Sequence, residues 1–113
     1  MIKIYHNNRC SKSRCGLQIL EESGKDFEVI KYLETPPTFD DLKSIINKLG
    51  IAPINLVRKN EAIWKGSFKG KNLTDDQIIQ AMIDHPKLIE RPIVINGSKA
   101  VVGRPPETIL DLI

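Results

Sequence analysis

The sequence has little cysteine, with only two residues, and no apolar run near the roughly 18 residues needed to span a bilayer. Two thiols cannot build a multi-bridge scaffold, so reduced and potentially reactive cysteines are expected. No signal pattern is visible, because charged residues interrupt the first twenty positions, and a soluble cytoplasmic chain with no membrane partner is expected. Charge of one sign is also scarce. Lysine and arginine number 17 against 14 acidic residues, a net +3 without a basic run, so nucleic acid is not an expected partner and a small anion suits better. The glycine-rich phosphate loop is absent. The Cys-x5-Arg pattern of tyrosine phosphatases would require arginine at Gly16. His6, Cys10 and Cys15 have unfamiliar zinc spacing and no evident fourth ligand, so no metal and no tightly bound cofactor are expected.

What remains is a chain of 113 residues, 41% apolar and 27% charged, which is the composition of one globular domain spanning 1–113 and most simply a monomer. It is organised around the stretch from Ile2 to Arg14, where an apolar-alternating strand turns into a helix with Cys10 at the corner. A helix start leaves about four backbone N–H groups unpaired and carries partial positive charge, which favours a thiolate and attracts oxyanions. Arg9, Lys12 and Arg14 add positive charge within one turn. A buried structural role is the bland alternative for Cys10, and its polar, basic neighbours argue against it. Cys15 is expected to be inert. Five helical positions rise about 7.5 Å and turn about 140°, beyond the roughly 7 Å limit for a disulfide.

Along the chain, Ser11 to Ser23 reads as a helix stopped by Gly24, and Phe27 to Tyr32 as a second strand, parallel to the first through a crossover. Thr38 caps a helix carrying Leu42, Ile45, Ile46 and Leu49, with Gly50 at its end. Ile51 to Lys71 reads as brief helical turns and loop, with Trp64 and Phe68 as local core. Thr74-Asp75-Asp76-Gln77 is a capping box for a helix bearing Ile78, Ile79, Met82 and Ile83, ended by His85-Pro86. Ile93-Val94-Ile95 and Ala100-Val101-Val102 flank the hairpin turn Asn96-Gly97-Ser98, and Pro105-Pro106 open a last short helix. The order gives an α/β fold: a mixed four-stranded sheet flanked by helices, with a helical insertion in the middle.

This order, with a cysteine at the first strand-helix corner, resembles the thioredoxin or glutaredoxin fold. The blocks His6-Asn7-Asn8-Arg9-Cys10-Ser11-Lys12-Ser13-Arg14, Val57-Arg58-Lys59, Glu90-Arg91-Pro92-Ile93-Val94 and Gly103-Arg104-Pro105-Pro106-Glu107 resemble the signature blocks of glutaredoxin-dependent arsenate reductases. The Cys-Ser-Lys-Ser-Arg block is similar to a shorter branch of that family. The resemblance implies Cys10 as nucleophile toward arsenate or a similar oxyanion, Arg58, Arg91 and Arg104 as its binders, and His6 and Ser13 as supports of the thiolate. It also implies glutathione as external reductant and glutaredoxin as partner, and places Pro92 where this fold carries a cis-proline. Arginine's fixed charge and forked donors suit a tetrahedral oxyanion, and Arg14 lies close enough in sequence to join them. One helical turn after Cys10, the Ser13 hydroxyl is expected to donate to the sulfur. His6 is weighed between a hydrogen bond at the strand end and electrostatic support.

Two other readings compete. One keeps the fold and makes the chain a glutathione-linked thiol oxidoreductase of another substrate. The other is a Spx-type regulator that binds RNA polymerase, against which Ser13 stands where the switch of such proteins has its second cysteine.

Overall fold

The computed structural model describes residues 1–113, which gather into two compact units: Met1–Thr35 with Arg91–Ile113, and Pro36–Glu90. The first unit holds the sheet. Strands β1 (Ile2–Tyr5), β2 (Phe27–Ile30), β3 (Ile93–Asn96) and β4 (Lys99–Val102) lie in the order β2-β1-β3-β4. β1 runs parallel to β2, with Ile4 opposite Val29, and antiparallel to β3, with Ile4 opposite Val94. Alternation in β1 buries Ile2 and Ile4 and leaves Lys3 exposed, whereas Ile93, Val94 and Ile95 are all buried, as a strand covered on both faces requires. The sheet is therefore mixed and four-stranded, as the sequence predicts. Helix α1 (Ser11–Ser23) makes the crossover, and its Leu20 joins Ile2, Ile4, Val94 and Ile109 in the core.

Two boundaries differ from expectation. β2 ends at Ile30, because the Lys31 carbonyl accepts the N–H groups of Glu34 and Thr35 and turns the chain. Tyr32 thus leaves the strand but stays fully buried, so its apolar signal reported burial rather than pairing. The last helix is a 3₁₀ segment, Pro106–Asp111, closed by bonds such as Thr108 N–H to the Pro105 carbonyl. Its prolines sit at the N-cap and first position, where a helix needs no N–H donor. Asn96 Nδ2 donates to the Leu112 carbonyl and ties this end to β3. The hairpin turns on Gly97 and Ser98, with Gly97 at φ +63°.

The second unit is helical: α2 (Phe39–Leu49), α3 (Ala62–Ser67) and α4 (Asp75–Asp84), with 3₁₀ turns at Pro53–Leu56 and Pro86–Leu88. Thr38 caps α2 through its bond from the Asp41 N–H, and Gly50 ends it in the left-handed region. Both bonds of the Thr74–Gln77 capping box form at the start of α4. Val57 bridges Ile89 antiparallel, bracing the poorly periodic stretch between α2 and α4. Trp64 is buried and stacks on partly buried Phe68 at 5.4 Å.

Close approach, rather than turn geometry, fixes two glycines. A Cβ on Gly16 would meet Ile109 Cδ1 at 2.9 Å and Pro92 Cγ at 3.0 Å, and one on Gly103 would meet the same two atoms at 3.0 and 2.9 Å. Gly66, in α3, has open space around it. Gly16→Ala is therefore expected to destabilise the protein by about 1–3 kcal/mol through overpacking. Gly66→Ala should stabilise it by about 0.5–1 kcal/mol, as alanine usually does in a helix. Urea unfolding of both variants checks the contrast; equal effects would show that the Pro92–Ile109 contact yields freely.

Candidate functional site

Cys10 is the N-cap of α1, with extended backbone angles (φ −97°, ψ 121°) and no side-chain capping bond. Helix starts normally place a serine, threonine, aspartate or asparagine oxygen at this point to accept a first-turn N–H. Here the residue carries sulfur, and the first-turn donors face it instead. The loop is set by the Cys10 N–H bonding to the Asn7 carbonyl at 3.0 Å and the Arg14 N–H bonding to the Cys10 carbonyl at 3.0 Å. The side chain is buried.

The thiol is more acidic than an ordinary cysteine. Burial raises its pKa, but the backbone N–H of Ser13, a hydrogen bond and the charge of Arg91, and the backbone N–H of Lys12 together outweigh that and bring it down. Arg104 adds a second guanidinium, with Nη2 3.6 Å from Cys10 Sγ.

Arg91 and Arg104 come from opposite sides of the β3–β4 hairpin and are linked directly, Arg104 Nε donating to the Arg91 carbonyl at 2.8 Å. Between them lies Pro92, fully buried, its carbonyl accepting the Gly103 N–H at 2.8 Å and its ring seated against Gly16 of α1. The Arg91–Pro92 and Arg104–Pro105 peptide bonds are both cis. Two bare glycine backbones thus let a rigid ring sit against α1, and the arginine beside that ring comes to the sulfur.

His6 and Ser13 form a buried pair, His6 Nδ1 to Ser13 Oγ at 2.6 Å, and the Asn7 N–H also donates to that oxygen at 3.0 Å. This corrects the expectation for Ser13: its hydroxyl is engaged by His6 and Asn7, and its backbone N–H is the group that serves the sulfur. The hydroxyl lies with the end of β1 because the strand-to-helix loop folds back over the first helical turn. Of the two roles weighed for His6, the structure shows the hydrogen bond at the strand end, and the ring is biased toward its neutral form. Burial lowers its pKa, the charges of Lys31 and Arg14 push the same way, and hydrogen bonds with the Asn8 side chain and at Ser13 offset this only in part. A neutral imidazole can hold the loop but adds no positive charge.

Of the other expected residues, Arg14 is exposed and donates from Nη1 to the Asn8 carbonyl at 2.9 Å, bracing the same loop. Arg58 belongs to the second unit. Its Nη1 lies 2.7 Å from Glu61 and its Nε 3.7 Å from Glu90, and its N–H donates to the Leu88 carbonyl at 2.7 Å. Cys15 is exposed on α1, and both cysteines are free. Sequence reasoning missed Gly16, Gly103, Asn7 and the two carboxylates on Arg58. Gly103 lay within a recognised block, where a glycine beside an arginine hinted at close packing; the carboxylates gave no signal.

The ArsC family model matches residues 5–112. The chain is similar to the arsenate reductase of Neisseria meningitidis serogroup A, 50% identical over 110 residues that cover 96% of this chain and 94% of the relative. It is 41% identical to the arsenate reductase of Haemophilus influenzae over 112 residues, 97% of each chain. Among solved structures, an arsenate reductase from Vibrio cholerae superposes with a TM-score of 0.95 at 45% identity, covering 99% of this chain and 97% of the other.

Two outcomes follow from the site. In pH-dependent alkylation followed by peptide mapping, Cys10 should react with a midpoint below the ordinary thiol range, and Arg91→Gln should move that midpoint upward; an unmoved midpoint would remove Arg91 as a determinant. His6 should make stability fall as pH drops below about 6.5, where the unfolded histidine gains a proton that the folded one resists, and level off below the folded pKa. Urea titrations of wild type and His6→Asn across this range check the sign, the variant losing that part of the slope.

Proposed function

Since the chain belongs to the ArsC family, we propose that it is an arsenate reductase in which the Cys10 thiolate attacks arsenate held by arginine guanidinium groups. The observation that carries this is the coincidence of an acidified sulfur, helix N–H donors and two guanidinium groups at one point. Such a point suits either a thiolate or an anionic substrate, because the same kinds of donor stabilise both. The arsenate reductases to which the chain is similar cover nearly its whole length.

In the proposed cycle the Cys10 sulfur bonds to pentavalent arsenic and one arsenate oxygen leaves as water. Arg91 and Arg104 bind the remaining oxygens and offset charge that builds as the bond forms. Arg58 is named as a further oxyanion binder by the family resemblance alone, and within its own unit it is paired with Glu61 and Glu90; Arg14 adds positive charge beside the loop through its bond to the Asn8 carbonyl. His6 and Ser13 act as positioning residues: the neutral pair holds the loop so that the first-turn amides stay aimed at the sulfur. Two external thiols then supply two electrons and two protons. Arsenic leaves as trivalent arsenite, the thiols end as one disulfide, and the oxygen lost from arsenate is released as a single water. Glutathione and a glutaredoxin fill these roles in our reading, with Cys10 regenerated as the only internal thiol used. The reaction belongs to the cytoplasm, where such thiols are kept reduced. No helix of the chain is long and apolar enough to cross a membrane.

Coupled NADPH consumption with glutathione reductase, glutathione and glutaredoxin is expected to depend on arsenate in the wild type and to vanish in Cys10→Ser. Arg104→Gln should lower kcat/KM by about 10²-fold or more, the usual cost of removing an oxyanion donor. Full arsenate turnover by Cys10→Ser would sink the mechanism. Absence of turnover in a wild type whose Cys10 still alkylates at low pH would keep the reactive corner and replace the substrate.

A further inference from the structure

Beside the cysteine loop lies a cleft of about 230 Å³ lined by His6, Asn7, Asn8, Arg9, Lys31, Leu33 and Glu34. It is smaller than the roughly 300–1,000 Å³ of a complete small-molecule pocket, and so fits one end of a ligand. Its chemistry is mixed. Arg9, Lys31 and Glu34 are exposed, and none takes part in an ion pair within the chain. The backbone that carries them is nevertheless fixed. The turn after β2 closes on the Lys31 carbonyl, which accepts the Glu34 N–H at 3.0 Å and the Thr35 N–H at 2.9 Å, and the Arg9 N–H is fixed by Asn7 Oδ1 at 3.0 Å. Leu33, 40% exposed, adds an apolar side chain to the lining.

We propose that this cleft binds the free α-amino-acid end of a γ-glutamyl peptide thiol, its carboxylate between Arg9 and Lys31 and its ammonium at Glu34. The inference rests on the reductase reading and names the site where its thiol reductant docks. A dianionic oxyanion would gain from the two cations but meet repulsion from Glu34, whereas a zwitterion uses all three groups. The asparagine amides supply further donors and acceptors for a peptide backbone. Arg9 is one residue, about 3.8 Å of chain, before Cys10, so a peptide anchored here by its first residue can extend its thiol toward the nucleophile.

The test uses S-methylglutathione, which cannot react, added to the full chain without arsenate and followed by NMR shifts of the cleft residues. Wild type is expected to bind it, with Kd raised about three- to fivefold in Lys31→Ala and in Glu34→Gln, the range open to exposed charge pairs. N-acetylation of the ligand should weaken binding to wild type by the same factor as Glu34→Gln and cost that variant nothing further. In turnover, the variants should raise KM for glutathione and leave KM for arsenate and the rate with 2-mercaptoethanol unchanged. Equal binding by wild type and both variants, or binding of acetate as tight as that of S-methylglutathione, overturns the proposal. Binding that follows the expected pattern in a protein without arsenate turnover supports the cleft and removes only the arsenate reading.

Discussion

The site depends on a sulfur standing where a helix normally keeps a capping oxygen. A capping oxygen stabilises a helix by satisfying the first-turn amides with a good acceptor. Cys10 gives α1 no such capping bond, so the amides of Lys12 and Ser13 are left to act on the thiolate. A neutral thiol accepts hydrogen bonds weakly, and a thiolate accepts them well, so the helix end is best satisfied when the proton is gone. Local helix stability and thiol acidity are two aspects of one interaction.

The loop before the helix must be rigid for that interaction to hold. Its rigidity comes from neutral bonds between His6 and Ser13 and from the Asn7 N–H to the same hydroxyl, with the Arg14 side chain bracing the Asn8 carbonyl. Positive charge at the sulfur is supplied separately, from the hairpin side. Pro92, packed against Gly16 and bonded to Gly103, fixes the chain on both sides of the hairpin, and Arg91 and Arg104 follow from that anchor. The division explains why burying a histidine here is tolerated. A charged imidazole would face Lys31 and Arg14 in a poorly solvated place, whereas the neutral ring only has to hold a hydroxyl.

Much of this was legible in the sequence, for definite reasons. Capping residues, glycine stops and the period of apolar residues are local signals, so α1, α2 and α4 have the predicted starts and ends. The hairpin and the sheet topology followed from turn chemistry and strand order. Tyr32 misled because burial and strand pairing leave the same apolar mark, and the turn on the Lys31 carbonyl is made by backbone groups that sequence does not distinguish. Cys10 was visible from its place at a helix start. The direction of the Ser13 hydroxyl was not, because helical spacing places a residue over its neighbour without saying which neighbour its side chain chooses. Nor could spacing alone expose the roles of Gly16 and Gly103, which depend on a proline ring distant in sequence.

The shared use of donors also limits how far the thiol can be acidified. Every amide or guanidinium that stabilises the thiolate lowers the basicity of the sulfur, and intrinsic nucleophilicity falls with it. An oxyanion drawing on the same arginines competes for them, and by linkage the thiolate and the anion each weaken the other's hold. Burial works in the opposite sense: it raises the Cys10 pKa and keeps the sulfur from being stabilised into inertness. A site with more cations would bind anions more tightly and present a poorer nucleophile. With two guanidiniums at a buried sulfur and a neutral histidine behind it, the donors lower the Cys10 pKa and burial opposes them, so acidity and basicity of the sulfur are set against each other.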